Sequence, residues 1–183
     1  MKRIVKTDNS QVVSDNIQYV PGNAINNRKL KEILLQEQLN FCAYTEFRTD
    51  DEEYDVEHFN PTIKNKDDYY NWYAVLHSVN NHKSEKWVQP VLEPTSEDLE
   101  ERIWYSNGYY KFNADDLHAY NLVEELIDLN NERWVKRRSE YINRMKLISN
   151  KFNLFEYFQG HPSEVQFRRA LETELNIVIN QHA

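Results

Sequence analysis

A single cysteine, Cys42, in 183 residues excludes an internal disulfide and fits a reducing cytoplasm. Three glycines and five prolines are too few for a turn-rich sandwich or barrel, and point to a largely helical chain. No apolar run approaches the ~18 residues of a membrane span. The first residues lack the apolar segment of a signal peptide, so the expectation is a cytoplasmic protein with no membrane partner. Positive charge is also short. The 22 Lys and Arg stand against 30 Asp and Glu, a formal net charge of −8. Free-standing nucleic-acid binders usually present a strong basic face. A nucleic-acid partner would therefore need a local basic surface here, or a second protein to supply the affinity. Local groups exist at Lys64 and Lys66, Lys83 and Lys86, Arg133 with Lys136 to Arg138, and Arg168-Arg169. Hydrophobic content of 40% and aromatic content of 13% argue against disorder. The length fits one domain, residues 1–183, with a single core.

Residues 1–20 read as extended or irregular, and Pro21-Gly22 as a turn. Asn26 or Asn27 is placed to cap a helix running to about Asn40, with Leu30, Ile33, Leu34 and Leu35 at helical spacing. Cys42 to Arg48 and Tyr54 to Phe59 read as two strands separated by the acidic loop Asp50 to Glu53. After Pro61 and a polar loop, Trp72, Val75, Leu76 and Val79 recur at helical spacing. A hairpin is expected at Ile103 to Phe112 around Asn107-Gly108. Helices are expected over Leu117–Leu129, over Asn130–Ile148, and from Pro162-Ser163 to about Ile179. The four tryptophans sit on apolar patterns and read as core, not as a base-stacking platform. The fold class is α+β and mostly helical: a small core at about 42–87, with long surrounding helices and a helical C-terminal part at about 115–180.

The chemistry concentrates in Val56-Glu57-His58-Phe59-Asn60-Pro61, Asn71 and Asn80-Asn81-His82-Lys83. Phosphodiester hydrolysis needs a base to activate water and positive charge to neutralise what develops on the phosphate. His58, at a strand end, suits the base, since an unperturbed imidazole takes up a proton near neutral pH. Glu57 and an asparagine amide are hard oxygen donors suited to Mg²⁺ or Mn²⁺. In a regular strand Glu57 and His58 point to opposite faces, so a distortion near Pro61 is needed to bring both to one phosphate.

This pattern resembles the HNH endonuclease family with its strand–strand–helix metal core. It most resembles the HNH subunit of Septu-type and retron-linked anti-phage defence systems. Phe41 to Glu46, Val56 to Pro61, and Asn71 with Asn80 to Lys83 are similar to three blocks of that group. Trp104 to Tyr109 and Leu126 to Arg138 are similar to its later blocks. The likeness spans roughly residues 30–145. It implies His58 as general base, Glu57 and Asn80 as metal ligands, Asn71 as the residue orienting base and loop, and Lys83 beside the phosphate. Asn81 and His82 are the next ligand candidates, and Asp55 a reserve acid. DNA is the implied substrate, with RNA the other option, and an ATPase subunit is the implied partner. Members commonly carry a four-cysteine zinc site. Here those positions are Cys42, Thr45, Leu76 and Val79, so a structural zinc is not expected and apolar packing takes its place. A rival reading is a degenerate scaffold or partner-binding subunit without cleavage. A third, an RNA-binding helical domain, is opposed by the acidic balance.

Overall fold

The computed structural model describes residues 1–64 and 66–179. The described residues mix helices with two small antiparallel sheets, so the α+β class holds. The N-terminal segment is not wholly irregular, because Ser10 caps a short helix, α1 (Gln11–Ser14). Helix α2 (Ala24–Glu37) starts earlier than expected. Its cap is Asn23, whose side chain accepts from the Asn26 amide, while Asn26 and Asn27 lie inside the helix. Leu30, Ile33 and Leu34 are its buried stripe, and side chains of this kind contribute about 1.5–3 kcal/mol each on burial.

Strands β1 (Tyr54–His58) and β2 (Trp72–Leu76) pair antiparallel with Glu57 opposite Tyr73 and His58 opposite Trp72. Residues 72–76 are thus strand, not the helix expected from Trp72, Val75 and Leu76. Helix α3 (His77–Lys83) begins only afterwards. All five residues of β2 are buried. Trp72 and Ala74 join Val12, Leu30 and Leu34 on one face, whereas Tyr73 and Val75 join the larger core on the other. A strand covered on both faces loses polar alternation, so its apolar run cannot be told from a helix by periodicity. Its outer edge is satisfied by Gln38, whose side chain accepts from Ala74 N at 2.9 Å and donates to Ala74 O at 2.7 Å.

The strand expected at Cys42–Arg48 does not form. Glu46 takes a positive φ of 57° there. Its buried carboxylate accepts from Lys2 N at 3.1 Å and Tyr110 Oη at 2.6 Å. Tertiary anchoring of this acid overrides the β propensity of its aromatic neighbours.

Short helix α4 (Leu99–Arg102) leads into the expected hairpin, β3 (Trp104–Ser106) and β4 (Tyr109–Lys111). Helix α5 (Leu117–Tyr120) continues as a π-helical turn at Asn121–Leu126, where one α-helix was expected. Helix α6 (Glu132–Ser149), capped by Asn131, is the longest. Helix α7 (Leu154–Gly160) precedes a short 3₁₀ turn at Pro162–Glu164. The last helix, α8 (Arg168–Leu175), starts six residues later than expected, after Phe167 in the left-handed region. Among the described residues no helix is long and apolar enough to cross a membrane.

Gly108 shows how tightly the hairpin meets α6. Its φ is +88°, and an added Cβ would crowd Ser139 Oγ and stand 3.3 Å from the Val135 carbonyl. Its carbonyl accepts from buried Arg138 Nε at 2.7 Å. Gly108→Ala should cost about 2–3 kcal/mol, combining left-handed strain with overpacking. The urea midpoint checks this, and an unchanged midpoint would refute the close docking of hairpin and helix.

Candidate active site

Strand β1 alternates its side chains across the sheet. Val56 and His58 face the α1–α2 side, while Asp55 and Glu57 face α3, which packs on both strands. The strand stays regular through His58, so no distortion brings Glu57 and His58 to one point.

His58 sits at the end of β1 with its side chain 14% exposed. Its Nδ1 meets the Asp67 carboxylate, and Tyr19 lies edge-on to the ring at 4.6 Å between centroids. Asp67 is itself held. Its Oδ2 accepts from Asn71 Nδ2 and from Trp72 Nε1, both at 2.9 Å. Asn71 also clamps the loop behind the histidine. It accepts from Asn60 N at 2.8 Å and donates to Asn60 O at 3.1 Å. A carboxylate on Nδ1 fixes the tautomer with the proton there, which leaves Nε2 to accept one. Among the described residues Nε2 has no hydrogen-bond partner. Asp67 was not found from the sequence. It lies in a polar loop with no periodicity, and only the fold brings it back to the strand end.

On the opposite face, two rungs join β1 to α3. In one, Glu57 meets Lys83, with Nζ 2.5 Å from Oε1. The two groups form a buried ion pair. Both side chains are essentially inaccessible, at 4% and 0%. Burial pushes the Glu57 carboxyl up to about 7, and the Lys83 charge pulls it down against that. Lys83 also donates to the His58 carbonyl at 3.2 Å. In the other rung, Asn80 Nδ2 donates to Asp55 Oδ2 at 2.9 Å.

The expected ligand pair is therefore not assembled, since Glu57 holds an ammonium while Asn80 holds Asp55. A cation on Glu57 would have to displace Lys83 from a buried position, so the pair as placed does not fit Mg²⁺ or Mn²⁺. Lys83, expected beside the phosphate, is inside the protein. Arg138 and Arg168, counted above among local basic groups, are buried too. Among the described residues, no three His, Cys, Asp or Glu side chains stand together in a way that could hold a metal. His82, the other reserve ligand, is exposed and lies 3.8 Å from Asp128. The four positions read as a lost zinc site are all buried. The Cys42 thiol is pushed up by burial and lies beside Thr45 and the Leu76 backbone. Of the tryptophans, Trp72 and Trp134 are core, Trp87 packs edge-on to Phe59, and Trp104 is 37% exposed.

A cleft of about 520 Å³ opens along the free edge of β1. Tyr19, Arg28 and Lys31 line it from the α2 side, and Asp55, His77 and Asn80 from the α3 side. Comparison with family models, with curated proteins and with solved structures returned no match.

Proposed function

We propose that this chain hydrolyses phosphodiester bonds of DNA, with His58 as general base and Asp67 as its positioning residue. The single observation that carries the reading is the His58–Asp67 pair, an imidazole at a strand end oriented by a buried carboxylate. His58 Nε2 takes a proton from water as the oxygen attacks phosphorus. The bond from phosphorus to the leaving oxygen breaks, and solvent protonates that oxygen. Arg28 and Lys31, on the neighbouring cleft, supply positive charge for the strand's phosphates. No step runs through a cation on Glu57, because that carboxylate is paired internally.

Three further features support an HNH-type core in this reading. The order of β1, β2 and α3 is strand, strand, helix. Asn71 clamps the loop after His58, the role the resemblance implies for it. Cys42, Leu76 and Val79 share one apolar core at positions where members of the resembled family commonly hold zinc. By the same resemblance the chain serves as effector of a bacterial anti-phage system beside an ATPase subunit, which would supply affinity that an acidic chain lacks.

The test is cleavage of supercoiled plasmid and of tRNA, with Mg²⁺ and with Mn²⁺, by the parent and by His58→Ala. Plasmid nicking by the parent alone is expected. One observation favours a second reading. The motif acid Glu57 and the motif lysine Lys83 are paired with each other, as in a scaffold that retains the fold without the chemistry. Intact plasmid and tRNA in every arm, with the ATPase partner present, would move the conclusion there.

A further inference from the structure

We propose that Asp55, His77 and Asn80 form a divalent-cation site at the mouth of the β1 cleft, which keeps Asn80 of the expected pair and leaves out Glu57. Asp55 Oδ2 lies 2.8 Å from His77 Nδ1 and 2.9 Å from the Asn80 amide nitrogen. In an octahedral site with donors ~2.1 Å from the ion, adjacent donors stand ~3 Å apart. His77 and Asn80 thus each already stand at a neighbouring-corner distance from the Asp55 oxygen. Rotating the Asn80 amide by half a turn presents Oδ1 in place of Nδ2, a change that leaves the side-chain shape the same.

The imidazole is braced from behind. Asn81 Nδ2 lies 2.8 Å from His77 Nε2. When the ion takes Nδ1, the ring proton moves to Nε2 and the Asn81 amide turns to accept it. No net proton is lost, and the histidine gains the outer partner that metal-bound imidazoles usually have. His77 is 56% exposed and Asp55 29%, so the remaining corners are open to water or to a phosphate oxygen. One carboxylate, one amide oxygen and one imidazole suit Mn²⁺ better than Ca²⁺, which prefers all-oxygen shells.

The placement says what such an ion would do. Asp55 and His58 are three residues apart on an extended strand, ~10 Å, and face opposite sides of it. An ion at Asp55 is too far to touch a water held by His58. It is placed to grip a neighbouring phosphate of a strand lying in the cleft, opposite Arg28 and Lys31. That role rests on the proposed phosphodiesterase reading, whereas the binding of the ion does not.

The experiment is a titration of the chain with Mn²⁺ alone, without nucleic acid, following the electron paramagnetic resonance signal of the free ion. One Mn²⁺ per chain is expected. Asp55→Asn and His77→Ala should each weaken it at least ~10-fold, and Asn81→Ala by ~10-fold. The double variant Glu57→Gln, Lys83→Met should bind as the parent does. No binding by the parent overturns the proposal. So does binding indifferent to His77→Ala, or binding lost in the double variant and kept in Asp55→Asn. Because His58→Ala leaves all three ligands in place, it should bind Mn²⁺ normally even where it cleaves nothing, which separates this site's failure from the nuclease's.

Discussion

His58→Ala should lower plasmid cleavage by about 10³-fold, and Asp67→Asn by about 10²-fold, within the range general-base catalysis contributes. The two losses have different origins. Alanine removes the proton acceptor. Asparagine keeps the size, and its amide oxygen stays towards the donors of Asn71 and Trp72 and towards Nδ1, but it removes the negative charge beside the imidazole. The imidazolium that forms as the base takes its proton then lacks the counter-charge that stabilises it. Both variants should lose kcat while KM stays near that of the parent, because neither side chain is asked to bind the strand. The double variant should be no slower than His58→Ala, since Asp67 acts only through the imidazole. A double variant a further 10²-fold slower would give Asp67 an independent role. His58→Ala as fast as the parent would remove the nuclease assignment to this histidine. Thermal unfolding of each variant keeps loss of fold apart from loss of chemistry. Asp67→Asn deserves that control most, because Asn71 and Trp72 also donate to Asp67.

What the sequence made legible follows the range of each interaction. The hairpin at Asn107-Gly108 and helix α6 depend on turn chemistry and a one-sided apolar stripe, and both stand where expected. Strand β2 was mistaken for helix because two cores cover it, and the alternation that marks a half-buried strand is absent. The segment at Cys42–Arg48 was mistaken for strand because Glu46 is held by Lys2, Tyr110 and the chain before α8, partners far away in sequence. The site divides in the same way. His58 and Asn71 were singled out by motif spacing alone, whereas the groups they engage, Asp67 and Asn60, stand nine and eleven residues away. Asp67 and the His77–Asp55 contact were missed, because a loop aspartate and a surface histidine carry no local signal. Lys83 was placed beside the phosphate by the motif resemblance, but a lysine this deeply buried needs a partner. Its partner, Glu57, had been assigned to a metal instead.

That pair gives the second large effect. Lys83→Met should destabilise the fold by about 3 kcal/mol at about pH 8.5, because a buried carboxylate then stands without its counter-charge. The loss should shrink towards about pH 5.5. In the parent the Glu57 carboxyl is already raised to about 7. Its folded form therefore binds a proton more tightly than the unfolded chain does. The stability this contributes is fully present below the ordinary carboxylate range and is lost as pH rises through about 7. Removing Lys83 takes away the one influence pulling Glu57 down strongly, so the carboxyl rises further and the loss extends to higher pH. In mild acid Glu57 is protonated in both proteins, and methionine fills the lysine's space at little cost. Glu57→Gln, by contrast, strands the ammonium of Lys83. Combining the two changes should recover most of the stability at all pH values, since a buried ion pair is often replaceable by neutral groups of similar shape. Urea midpoints at the two pH values decide it. A Lys83→Met loss that does not vary with pH would mean that Glu57 finds water or another cation, and that the α3 rung is not closed. The lysine also holds the His58 carbonyl. Cleavage by Lys83→Met at mild acid pH, where the fold is intact, then reads how far this buried ammonium fixes the strand end that carries the base.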